Sequence, residues 1–248
     1  MSAINLDGIA KVYRGKQGTK RVFENLNGQF PVGSAVGILG VRGAGKSTLM
    51  RLICGSTLPD RGRVRRSGLV SPLIANTQAY HAALSGRENI HFVARVNGFD
   101  GDAATDFVLR FTGLGSIIDH PLSSYSREHR SRFLFAASYA LPFDIYVADE
   151  TLFGGSGAFR ERCATLVQIR RTQSSFIFVT RSPQMLRRFA DIGAVLHEGQ
   201  LHMFDRVGDA IRAFLAVDTK PSHSDVFLND DEDGEEECDL DELFGPIA

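Results

Sequence analysis

Gly40-Val41-Arg42-Gly43-Ala44-Gly45-Lys46-Ser47-Thr48 is the stretch on which the reading of this 248-residue chain turns. Its glycines let successive backbone N–H groups face inward with no Cβ in the way. Such N–H groups, continued by the N-terminus of a helix, make a cradle for a phosphate. Lys46 has the reach for the β- and γ-phosphates of a nucleotide, and the Ser47 hydroxyl suits a Mg²⁺ ligand. The flanks agree with this. Ala35–Leu39 (AVGIL) reads as a buried strand, and Leu49, Leu52 and Ile53 recur at helical spacing after the loop. A Gly-rich turn without function leaves that strand–loop–helix order unexplained. Gly40, Gly43, Ala44, Gly45, Lys46, Ser47 and Thr48 are therefore the expected nucleotide-binding residues, with a nucleotide and Mg²⁺ as the ligands.

Composition bounds the rest. The length fits one large α/β domain, or one domain with a lobe inserted, and a hydrophobic fraction of 43% supplies an ordinary core. No apolar run reaches the roughly 18 residues that span a bilayer. Met1-Ser2-Ala3-Ile4-Asn5 does not resemble a secretory leader. Cys54, Cys163 and Cys238 lie far apart, with neither metal nor disulfide spacing, and suit a reducing cytosol. The net charge of −1 conceals an asymmetry: eleven acidic residues fall between Asp225 and Glu242, and no Lys or Arg follows Lys220. The 28 basic residues of the body thus face only 18 acidic ones. A basic body with an acidic tail points to a charged surface as partner: anionic lipid, nucleic acid, or the tail itself.

Along the chain, Ala3–Leu6, Val12–Tyr13 and Val22–Phe30 read as strands. The helix after the phosphate loop is closed by Pro59-Asp60-Arg61-Gly62. Ser85 to Leu141 is helical in pattern. Ile145–Ala148, Ser175–Thr180 and Ala194–Leu196 read as short buried strands, Gln184–Phe189 and Val207–Leu215 as helices. Strands on both sides of a helical block predict an α/β core with an inserted helical lobe. From about Thr219 the sequence is acidic, of low complexity and expected to be disordered.

A second motif carries chemistry. Phe143–Glu150 (FDIYVADE) is an apolar strand ending in two carboxylates. Held opposite a phosphate loop, Asp149 would bind Mg²⁺ through water and Glu150 would polarise the attacking water. Taken alone, the same residues also suit an acidic strand end that caps a helix.

Over residues 3–217 the order of these segments resembles the ATP-binding-cassette (ABC) ATPases. The phosphate loop is followed by a helical lobe, a signature segment, the acidic strand and a final strand-turn-strand at Asp191–Leu201. More narrowly, Leu84–Ile90 with Phe92–Arg95, Tyr125-Ser126, Arg130–Phe133, Phe159–Cys163 and Arg181-Ser182-Pro183 resemble the ATP-binding subunit of capsular polysaccharide exporters. O-antigen and teichoic-acid exporters share several of these stretches. The resemblance implies a P-loop nucleoside-triphosphatase core with an antiparallel β subdomain and a helical lobe at about 85–141. The ATP-binding domain would occupy 1–217 and the acidic tail 218–248. It implies that Tyr13 stacks on adenine, although a tyrosine on a strand face is the equal alternative. It makes His81 the residue of the core–lobe loop, with Gln78 close by, and Ser126 the serine of the signature segment.

The chain departs from the family at partner-facing positions. Glu128 stands where a glycine is expected, and Arg127 beside it is placed to offset the charge. Ser156 replaces an aspartate. Arg181 replaces the switch histidine: it can donate to a γ-phosphate but cannot shuttle a proton. The resemblance implies a dimer that sandwiches ATP, with a second ATP-binding subunit, and a separate transmembrane permease docking near His81 and Ala82–Arg87. The chain would then sit peripherally on the cytoplasmic face of the inner membrane, with no nucleic acid as partner. Binding of ATP is better supported than its turnover. A nucleotide-gated regulatory module without transport remains the alternative. In the tail, Val226, Phe227, Leu228, Leu240, Leu243 and Phe244 accompany the charge, which suits docking as well as mere solubility.

Overall fold

The computed structural model describes residues 1–15, 18–75, 77–149 and 157–218. Glu150, Ser156 and the acidic tail, with its apolar clusters and Cys238, lie outside the described residues. The chain runs β1 (Ser2–Gly15), β2 (Gly18–Pro31), β3 (Ala35–Leu39), α1 (Lys46–Cys54), β4 (Arg61–Arg66) and β5 (Val70–Leu73). It continues with α2 (Gly86–Asn97), α3 (Gly101–Thr112), α4 (Arg127–Tyr139), β6 (Ile145–Asp149) and α5 (Ala158–Arg171). It ends in β7 (Ser175–Thr180), α6 (Pro183–Phe189), β8 (Ile192–His197), β9 (Gln200–Phe204) and α7 (Val207–Val217).

Two sheets result. One is antiparallel, in the order β2-β1-β4; the other has six strands in the order β5-β6-β7-β3-β8-β9. The latter is parallel from β5 to β8, and β9 returns antiparallel. Side chains alternate across the six-stranded sheet and separate its two faces. Ile145, Val147, Ile177, Val179, Val36 and Ile38 face α1 and the antiparallel sheet in one core cluster. Tyr146, Phe176 and Phe178 face the helices in the other. There Tyr139 of α4 stacks on Tyr146 at 5.2 Å between centroids, and Tyr146 on Phe176 at 5.0 Å. Aromatic rings are wide enough to reach helices packed over a parallel sheet, whereas β-branched residues suit the closer contact with α1.

Segment ends in the helical lobe follow from capping. Ser85 and Glu88 form a reciprocal capping box at the start of α2. Asp100 accepts from the N–H groups of Asp102 and Ala103 at the start of α3. Gly98 and Gly113, both left-handed, close these two helices.

Several elements differ from the sequence expectation. Ala3–Leu6 and Val12–Tyr13 belong to one strand, β1, carried across irregular register near Gly8. Arg61 and Gly62 open β4 instead of closing a turn. The arginine-rich RGRVRR carries no strand signal in the sequence because its outward charges mask the period-2 pattern on an edge strand. The helix α5 is likewise hidden in the sequence: two of its four arginines, Arg160 and Arg162, interrupt the apolar face of Phe159, Cys163, Leu166 and Val167. Among the described residues no helix is long and apolar enough to cross a membrane.

Candidate functional site

The site forms at the carboxyl ends of three adjacent inner strands of the six-stranded sheet, because the strand register brings those ends together. Asp149, last in β6, is paired with Val179 of β7, and Thr180 of β7 is paired with Leu39, last in β3. Arg181 follows directly after Thr180, and the phosphate loop follows directly after Leu39. The carboxyl ends of parallel strands are where α/β folds hold ligands.

The loop is built for close approach. Gly45 sits at φ 101° as the N-cap of α1, and a Cβ there would stand 2.8 Å from Val22 Cγ1 and 3.0 Å from Phe23 Cζ. No side chain caps α1, so its first N–H groups are left for a ligand. At Gly40 a Cβ would meet the Leu196 carbonyl at 3.0 Å and the Lys46 stem at 3.4 Å. Lys46 runs through that space, buried, and its ammonium donates to the carbonyls of Gly40 (2.7 Å) and Val41 (3.2 Å). A buried cation tied into the loop and a row of uncapped N–H groups fit a phosphate.

Around this loop lies a cavity of about 610 Å³. Gly43, Gly45, Lys46, Ser47 and Thr48 form its floor, and Tyr13, Lys20, Val22, Arg42, Asp149 and Arg181 its walls. Tyr13, Asp149 and Arg181, widely separated in sequence, are thus brought to the phosphate loop. The hydroxyl of Ser47 and the carboxylate of Asp149 share the cavity, which is the donor pair that suits Mg²⁺. Gly40 lies behind the floor and Ala44 faces a neighbouring cavity of about 510 Å³ shared with Arg42, His197 and Glu198. A larger hollow of about 1180 Å³ over the antiparallel sheet holds Arg14, Arg21 and Arg61 but neither the loop nor the strand-end carboxylate. Cavity size alone does not mark the chemistry here.

Tyr13 is 37% exposed and its ring is held in place from its own strand. The Lys11 ammonium lies 5.6 Å from the ring centroid and donates to the Leu58 carbonyl (2.9 Å) and to Asp60 Oδ1 (3.1 Å). Asp60 Oδ2 also accepts from the Val12 N–H at 2.6 Å. That backbone hydrogen bond, with Lys11 adding to it, holds the Asp60 carboxyl below its ordinary pKa. A ring with an ammonium over one face keeps the other for a flat partner.

Two expected residues lie elsewhere. His81 N–H donates to Asn89 Oδ1 (2.7 Å) and its Nδ1 accepts from Ala83 N–H (3.3 Å), so it closes the loop onto α2 and does not line the cavity. Ser126 caps α4, its Oγ accepting from the His129 N–H at 3.1 Å. Glu128, in the first turn of α4, is paired with Arg132 and not with Arg127. Lys20 and Arg42 are wall residues to which the sequence reading gave no role. Lys20 was legible only through the β1–β2 register, which sets it opposite Tyr13.

Residues 23–152 match the family model described as ABC transporter. The chain belongs to this family. ABC membership is reinforced by relatives that match 77–86% of the chain. The ATP-binding protein BexA of Haemophilus influenzae is 34% identical over 211 residues, covering 85% of this chain and 97% of the relative. The polysialic acid transport ATP-binding protein KpsT of Escherichia coli is 37% identical, covering 77% and 87%. The capsule polysaccharide export ATP-binding protein CtrD of Neisseria meningitidis is 32% identical, covering 86% and 99%. The fold agrees with that of solved ABC proteins. A dimeric, ADP- and Pi-bound form of the ATP-binding cassette MJ0796 superposes with a TM-score of 0.68 at 18% identity, covering 80% of this chain and 96% of that one. The ATP-binding subunit of another ABC transporter gives 0.70 at 18%, covering 86% and 93%.

Proposed function

We propose that this chain is the ATP-binding subunit of an exporter of capsular or related surface polysaccharide, coupled to a separate transmembrane permease. The observation that carries the reading is the meeting of phosphate loop, Asp149 and Arg181 at the carboxyl ends of the parallel strands, in a chain collinear with ATP-binding proteins of polysialic acid transport and capsule polysaccharide export. Exporters of teichoic acid and O-antigen, whose ATP-binding proteins are about 30–32% identical to it, mark the same class of glycan cargo.

On this reading the α1 N-terminus and the loop N–H groups bind the β-phosphate, and Lys46 neutralises β- and γ-oxygens. Tyr13 stacks on the base. Ser47 and, through water, Asp149 would hold Mg²⁺, which would supply neutralising charge to the phosphate oxygens. Glu150 follows Asp149 directly and orients the attacking water, while Arg181 donates to the terminal phosphate from the end of β7. Ser126 and the N-terminus of α4 serve the nucleotide of a second ATP-binding subunit, so closure of the dimer is driven by ATP. The permease docks by the helical lobe near His81 and Ala82–Arg87, which keeps the chain at the cytoplasmic face of the inner membrane.

A second reading, binding without hydrolysis, is favoured by Glu128 and Arg181, which stand in place of a glycine and a histidine. One assay separates the two. Co-expressed with its permease and reconstituted in vesicles, the chain should hydrolyse ATP faster than alone, and Lys46→Ala should abolish the activity. Nucleotide binding with no hydrolysis in either setting supports the second reading. Failure to co-purify with any membrane protein counts against export.

A further inference from the structure

Arg42 lies within the phosphate loop yet takes no part in building it. The residue is exposed, and its side chain makes no hydrogen bond or ion pair with any described residue. Gly43, which follows it at φ 86°, has no atom within 4 Å of the place a Cβ would occupy. Among the described residues, then, the guanidinium has no polar partner. It nonetheless lines the cavity, at a rim formed by the loop, while Arg181 lines it from the end of β7. With Lys20 and Lys46 these make four cations, and Asp149 is the one carboxylate among the described lining residues.

That charge exceeds what a diphosphate calls for. The loop N–H groups and the buried Lys46 already suffice for a β-phosphate at the α1 N-terminus. The terminal phosphate of a triphosphate extends past them, toward the space that Arg42 and Arg181 approach from two different elements. A guanidinium suits this task because its planar fork of N–H donors binds two phosphate oxygens at once.

We propose that Arg42 reads the terminal phosphate. Its guanidinium donates to γ-phosphate oxygens from the loop side, opposite Arg181, and sets a preference for nucleoside triphosphate over diphosphate. The proposal rests on the nucleotide-binding reading of this cavity and adds a specificity-determining residue to it. Arg42 also borders the 510 Å³ cavity, whose wall includes the exposed carboxylate Glu198. Pairing with Glu198 is the competing use of the same side chain.

The test is an equilibrium titration of the full-length chain with fluorescent analogues of MgATP and MgADP. Arg42→Gln should weaken the triphosphate about tenfold and leave the diphosphate within about twofold, a selectivity change of roughly 1 kcal/mol. Arg42→Lys should recover part of the triphosphate affinity, since it restores charge without the fork. Glu198→Gln should change neither nucleotide, and thermal unfolding without nucleotide should be the same for all variants. Equal losses for both nucleotides, or none, overturn the proposal. So does a Glu198→Gln variant that behaves as Arg42→Gln does, which would assign Arg42 to the loop's architecture. If the unaltered chain binds neither nucleotide, it is the nucleotide-binding reading that fails, and this proposal with it.

Discussion

Arg132, one turn along α4, donates from Nη2 to Oε1 of Glu128, so the carboxylate that replaces the expected signature glycine is answered from its own helix. A bare carboxylate about 4 Å from a phosphate charge would be repelled by about 4 kcal/mol at an effective dielectric near 20. The pair weakens that objection to a working site. Arg132 is itself fixed, its guanidinium lying 5.0 Å from the Phe159 ring centroid. The pair is too exposed to hold the fold: an i,i+4 pair of this kind contributes about 0.3–0.5 kcal/mol. Arg132→Gln should therefore lower permease-stimulated ATP hydrolysis several-fold while changing thermal stability little. Hydrolysis unchanged in that variant removes the pair from the mechanism.

The departures from the family can also be repaired. Glu128→Gly with Arg181→His should raise the turnover of ATP measured with the permease present. If the double variant is no faster than the starting chain, the departures are already compensated locally, by Arg132 among others.

On the proposed reading, base recognition rests on Tyr13 and on what holds it. Stacking of a base on an aromatic ring contributes about 1–3 kcal/mol. Tyr13→Ala should weaken MgATP by about fivefold to a hundredfold and leave competition by inorganic tripolyphosphate unaltered, whereas Tyr13→Phe should be nearly silent. Lys11→Met, which removes the ammonium beside the ring, should show a smaller loss of the same base-dependent kind. Equal losses of ATP and tripolyphosphate would point to a damaged loop instead.

Asp60 gives a pH signature. Its pKa is lowered in the folded chain by the Val12 N–H and by Lys11. A group with a depressed folded pKa stabilises above its unfolded value, about 3.9, and that contribution is lost as pH falls through the lower folded value. The melting temperature of the unaltered chain should thus exceed that of Asp60→Asn at pH 7, and the gap should shrink by pH 3. A gap independent of pH would mean that the clip is not electrostatic.

Much of this was legible in the sequence, and the reasons differ by element. The phosphate loop declares itself because its requirements are local: glycines where a Cβ has no room, and a lysine one turn into reach. The strand Ser175–Thr180 was legible in full because all six residues are buried and the run is uniformly apolar or small. By contrast, the proximity of Asp149 to Arg181 is a matter of register between β6 and β7, which neither segment encodes alone. The same holds for Lys20, which earns a place in the wall only by lying across from Tyr13. Pairing of Glu128 with Arg132 follows the i,i+4 rule of helix surfaces, whereas Arg127, adjacent in sequence, points to another side. The strand β4 was not legible because a charged edge strand hides its alternation.

Every role proposed above depends on the Gly40–Thr48 loop binding Mg·ATP through Lys46, and one comparison decides it. Titration of the full-length chain with a fluorescent ATP analogue in Mg²⁺ should give saturable binding that Lys46→Ala abolishes. Because the Lys46 ammonium also ties the loop to the carbonyls of Gly40 and Val41, circular dichroism should confirm that the variant is folded. A folded Lys46→Ala chain that binds the analogue as tightly as the unaltered protein contradicts the account.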